Sequence, residues 1–202
     1  MTGMRRICAL CFALLLTAPA AARAAEPEEQ PDSAKQTAPA DDREIALDAL
    51  LKQLKAATDE KSASVIEEAV WQLWLRSGSD TVDLLMSRVI AAMKADDYSL
   101  ALELLNHVVT IRPGYAEGWN KRATVFFYLH DYASSLHDVE RTLSLEPRHF
   151  GALAGLGLIL EELGHHERAL KAFRRALAVH PYLSVVRKAE KKLSEELEGR
   201  GI

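Results

Sequence analysis

The chain has 202 residues, 49% of them hydrophobic and 27% charged, with only ten glycines and a formal net charge of −4. That size and balance suit one helical domain of ordinary dimensions. The acid excess argues against nucleic acid, which needs clustered positive charge to displace counterions, and valine and isoleucine nowhere alternate as a strand would require, so no sheet is expected.

The first residues read as an export signal. Arg5 and Arg6 precede an apolar run from Ile7 to Leu16, and Ala22-Arg23-Ala24 follows as a small-x-small cleavage pattern. A secretory signal peptide over 1–24 would put the mature chain in the periplasm or outside the cell, with no stable membrane insertion after cleavage. The alternative is an uncleaved anchor, for which the apolar run falls short of the roughly 20 residues that a span needs. Cys8 and Cys11 would leave with the signal, so the mature chain has no thiol or disulfide chemistry. Residues 25–41 are rich in Pro, Glu and Ala and carry no large apolar side chain, which predicts a disordered linker.

Residues 42–81 hold two amphipathic stretches. Ile45, Leu47, Leu50, Leu51 and Leu54 line the first; Ile66, Ala69, Val70, Leu73 and Trp74 line the second, with Trp71 beside them. Apolar residues three and four apart give a helix one sticky face. The pair has repeat length without the repeat's proline, and is expected to be a degenerate first unit capping the stack that follows.

From residue 82 the chain is periodic. Pro113, Pro147 and Pro181 stand 34 residues apart, the length of one helix–turn–helix unit. Other columns keep the phase: Ile111/Leu145/Val179, Leu105/Val139/Phe173, Leu102/Leu136/Leu170 and Leu85/Trp119/Leu153. Breaks at Asp96-Asp97, His130-Asp131 and Gly164-His165 divide each unit into two helices, and the proline ends the second. Three units result, 82–115, 116–149 and 150–183, followed by a charged amphipathic helix over 184–198 that closes the end of the array.

At these residues the chain resembles the tetratricopeptide repeat (TPR) family. Trp119, Ala123, Phe126, Tyr132, Leu136 and Pro147 carry the resemblance in one unit, and Leu153, Leu156, Gly157, Leu160, Gly164, Ala169, Phe173, Ala176 and Pro181 in the next. The resemblance implies an all-α, right-handed solenoid of stacked antiparallel hairpins whose first helices line a concave groove. It also implies a scaffold that binds a protein or peptide segment there, without a cofactor. The residues expected to face a partner are Met86, Ile90, Met93, Asn120, Lys121, Thr124, Phe127, Tyr128, Gly151, Ala154, Gly155 and Leu158. The groove reads as apolar, with Asn120 as the one amide placed to grip a backbone and Gly151 and Gly155 as a bare patch of helix. Members that bind chaperone tails clamp a terminal carboxylate with lysine, arginine and asparagine; Met86, Ile90, Gly151 and Gly155 stand in those places here.

Other chemistry is weakly signalled. No nucleophile–base pair stands at a telling spacing, so no enzyme is expected. His130, His165 and His166 fall on turns, which leaves metal or small-molecule binding as a minor alternative. Arg88 and Arg122 occupy a partly buried repeat place and are expected to pair with Glu117, Glu140 or another acid, or to mark an anion site. A second reading of the whole is an assembly or folding factor for envelope proteins that works through its outer surface.

Overall fold

The computed structural model describes residues 38–199. The expected signal peptide lies outside them, as does the expected linker up to residue 37. The described residues belong to one compact unit and form nine α-helices and no strand. They are α1 (Ala38–Lys55), α2 (Glu60–Leu75), α3 (Asp80–Lys94), α4 (Tyr98–Ile111), α5 (Ala116–Tyr128), α6 (Tyr132–Leu145), α7 (Phe150–Glu162), α8 (His166–Val179) and α9 (Ser184–Gly199). α1 begins inside the stretch read as linker. None of these helices is long and apolar enough to cross a membrane.

The three repeats are the hairpins α3/α4, α5/α6 and α7/α8, each packed on the next, with α9 against α8. Their turns are alike for a local reason. Asp96, His130 and Gly164 stand 34 residues apart, and all three have left-handed backbone, with φ of 54°, 59° and 75°. Glycine adopts that conformation freely, and Asp and His tolerate it better than bulkier residues do. The next residue starts the second helix: Asp97 and Asp131 accept hydrogen bonds from the backbone N–H of Leu100 and Ser134. His130 is therefore a turn residue, its Nδ1 2.9 Å from the Tyr132 hydroxyl. Among the described residues no group of three His, Cys, Asp or Glu is placed to hold a metal.

The core follows the apolar columns. Val82, Met86, Val89, Leu105 and Val108 of the first hairpin pack with Val125 of α5, and Leu153, Leu160 and Phe173 pack with Val186 and Leu193 of α9. Gly157 is required by that packing: a Cβ there would lie 2.2 Å from the Phe173 ring.

One expectation fails. α1 and α2 form a hairpin, but it does not extend the stack from α3. Leu47, Leu51, Val70 and Trp74 share a core with Phe150 at the start of α7, with Val179 at the end of α8 and with Leu183 beyond it. Between α2 and α3 the chain turns at Gly78, with φ +77°. The hairpin thus lies along the edge built by the turns between repeats, where Phe150 and the His149 ring give the two indoles aromatic partners.

Two glycines on α7 test this packing from opposite sides. Gly157→Ala should destabilise the fold by about 1–3 kcal/mol, because the added methyl must displace a buried ring. Gly155 has nothing within 4 Å of its missing Cβ, so Gly155→Ala should stabilise by about 0.5–1 kcal/mol. Urea denaturation of both variants measures the pair.

Candidate protein-binding groove

The first helices α3, α5 and α7 present the faces on which a partner is expected. Their lower and upper ends differ sharply. At the lower end stands Glu117, in the first turn of α5 and 1% exposed. His149, the cap of α7, is fully buried against it. The His149 Nδ1 accepts the backbone N–H of Ala152 (3.1 Å), which puts the ring proton on Nε2 and lets it donate to Glu117 Oε2 (2.9 Å). Asn120 Nδ2 donates to the same oxygen (2.9 Å), and Lys121 Nζ lies 2.8 Å from Oε1. Burial by itself would raise the pKa of Glu117, but the His149 hydrogen bond and the Lys121 charge outweigh it and hold the carboxyl at about 2.

α2 roofs this cluster. Trp74 stacks on the His149 ring, centroids 4.0 Å apart and planes 10° from parallel. Trp71 meets Phe150 edge-on at 5.3 Å and lies 5.3 Å under the Lys121 ammonium. The residue before each repeat proline helps to fix the N-terminal hairpin. Arg112 donates to the Ser77 carbonyl (2.7 Å). Glu146 holds Arg148 through two of its nitrogens (2.9 and 3.0 Å), and Arg148 reaches Asp48 of α1. His180 donates from Nε2 to Glu67 of α2 (3.0 Å), whose other oxygen accepts the Trp71 indole N–H (3.2 Å). Tyr115, its hydroxyl pKa pushed up by burial, donates to the Leu75 carbonyl (2.9 Å). None of these links was legible in the sequence. One repeat position holds Arg, Glu and His in turn, Glu146 acting through Arg148, and the groups finally reached lie 35 to 113 residues away.

Three expected partner contacts are thereby corrected. Asn120 is 7% exposed and its amide is committed to Glu117, so it is not free to grip a backbone. Met86, in the same repeat place, is 2% exposed and belongs to the core with Val125, because that column turns toward the next first helix. Gly151 is not bare: a Cβ there would lie 2.8 Å from the Trp71 ring. Lys121 is half-buried in its ion pair, and the Thr124 hydroxyl donates back to the Asn120 carbonyl (2.9 Å).

The upper end remains open and apolar. Ile90 and Met93 of α3, Phe127 and Tyr128 of α5, and Gly155 and Leu158 of α7 keep some exposure. Tyr128 is 53% exposed and stacked on Tyr98 (5.4 Å, 19°). Ala154 and Leu158 open into an apolar pocket of about 170 Å3, walled by Trp71 on one side and by Val185 and Ala189 of α9 on the other. On the outer side Arg122 forms a two-point ion pair with Asp138 (2.7 and 2.9 Å), not with Glu117 or Glu140, and lies 4.8 Å over Trp119. Arg88 is exposed.

The Glu117 cluster carries a pH signature. Its folded pKa of about 2 lies below the ordinary 4.5, so its stabilisation is complete above about pH 4.5 and drains away as pH falls toward 2. Glu117→Gln should remove that acid-dependent segment from the stability curve and cost about 3–5 kcal/mol at neutral pH, as expected for breaking a buried charge pair. Denaturation midpoints from pH 2 to 7 for both proteins measure this.

Comparison with known proteins agrees with the repeat architecture. The tetratricopeptide repeat family model matches residues 120–183. A TPR repeat-containing protein of Rhizobium etli is 39% identical over 153 residues, covering 76% of this chain and 75% of that protein. Among solved structures, the Sgt2 TPR domain from Aspergillus fumigatus superposes with a TM-score of 0.56 at 20% identity, over 61% of this chain and 83% of that one. The first TPR of Spaghetti (RPAP3), bound to an HSP90 peptide, also gives 0.56 at 20% identity, over 58% and 93%. With the 34-residue phase, the stacked hairpins and a relative alike over most of both chains, this protein belongs to the tetratricopeptide repeat family.

Proposed function

We propose that this chain is a non-enzymatic interaction module that holds an apolar peptide or protein segment in the upper half of its concave groove. The observation that carries this reading is the run of part-exposed apolar side chains from Ile90 and Met93 through Phe127 and Tyr128 to Leu158, with bare helix at Gly155. Exposed aromatic side chains are enriched where proteins dock, since they bury much area at little entropic cost. A similar solved domain is bound to an HSP90 peptide, which supports a peptide as ligand. The places where tail-binding relatives hold a carboxylate carry Met86, Ile90, Gly151 and Gly155 here, so the ligand is recognised by internal apolar residues rather than by its C-terminal charge.

The same proposal puts the work outside the cytoplasm, on the strength of Arg5, Arg6, the apolar run and Ala22-Arg23-Ala24.

A photo-reactive amino acid at Phe127 should give a discrete adduct in the native host that Tyr128→Ala weakens; the same probe at Ala133, on α6, should not. Adducts from Ala133 alone would transfer the function to the outer surface. The mass of the protein purified from its host should correspond to a chain starting at Ala25; a chain that retains Met1 would refute export with cleavage.

A further inference from the structure

The first helix of each later repeat meets the hairpin before it, and the structure shows which places make that contact. On α5 they are Gly118, where a Cβ would lie 2.7 Å from Val108 of α4; Arg122, which donates to Asn106 of α4; and Val125, packed in the core of α3 and α4. The equivalent Ala152 and Ile159 of α7 are each 1% exposed. On α3 the same places are Leu84, Arg88 and Ala91, and all three are exposed, Leu84 by 58%. The α1–α2 hairpin, which would have covered them had it stacked as a repeat, packs on α7 and α8 instead. An end face of the solenoid is thus left without a neighbour among the described residues.

We propose that this face is closed by the same face of a second copy of the chain, with the two α3 helices antiparallel about a two-fold axis at Leu84. The charge pattern selects this occupant. Asp80, Leu84 and Arg88 are four apart and form one ridge along α3. Antiparallel pairing centred on Leu84 sets the two leucines together and Asp80 of each copy opposite Arg88 of the other, twice. A self-complementary patch is what an isologous dimer requires. Neither Asp80 nor Arg88 forms an ion pair within the described residues, so both are free for it.

Sedimentation velocity of the purified protein across a concentration series tests the proposal, with circular dichroism and melting as folding controls. The protein should dimerise. Leu84→Asp should give a folded monomer. Arg88→Glu, which puts like charges opposite one another at two places, should weaken dimerisation by about tenfold or more. The double reversal Asp80→Lys, Arg88→Glu restores complementarity and should recover the dimer. A monomer at all concentrations up to about 100 µM, a dimer indifferent to Arg88→Glu, or a double reversal that stays monomeric would each overturn the proposal. Photo-adducts from Phe127 are a separate readout, so failure here leaves the groove reading standing.

Discussion

A carboxylate withdrawn from water must find its counter-groups on the spot, and the base of this groove is organised by that demand at Glu117. Three side chains meet it: the His149 imidazole, the Asn120 amide and the Lys121 ammonium. Each is used up in doing so. The polar equipment expected to grip a partner is therefore turned inward, and the groove that remains is apolar and confined to the upper ends of α3, α5 and α7. His149 also couples the cluster to the helix that follows, since its other ring nitrogen caps α7.

The same cluster explains why the N-terminal hairpin sits where it does. A buried imidazole offers a flat face, and Trp74 stacks on it while Trp71 fills the place left by Gly151. Around these aromatic contacts the turns between repeats supply polar anchors, one from each: Arg112, the Glu146–Arg148 pair and His180. A hairpin held at all three turns acts as a brace along the solenoid's edge. It spans the stack lengthwise and leaves an end at α3 where Leu84 and Arg88 meet no neighbouring hairpin among the described residues.

Much of this architecture is legible in the amino-acid sequence. Pro113, Pro147 and Pro181 mark the ends of second helices, and the columns running with them name the core, from Leu105 and Phe173 to Leu153. Which of the groove residues stay exposed was legible only in part. Phe127, Tyr128 and Leu158 stand on the open face as their phase suggests, whereas Met86 and Asn120, in the same register, are buried. Repeat phase specifies which side of a helix a residue is on. It does not specify how far the next helix swings over that side, and one position in the repeat here holds Met, Asn and Ala, which pack to different depths.

The sequence by itself determined the elements, their order and their stacking partners in the repeats, because each of those follows from short-range patterns: apolar residues three and four apart, a capping aspartate, a residue that accepts left-handed backbone, a proline every 34 residues. Only the tertiary structure decided where α1 and α2 come to rest, which half of the groove is open and which end is bare. Those outcomes depend on contacts between residues far apart in the chain, among them Glu67 with His180, 113 positions on, and Leu47 and Leu51 with Val179. No local period records such contacts, since a side chain's choice among several apolar surfaces is settled by the area and the hydrogen bonds available on each once the chain has folded.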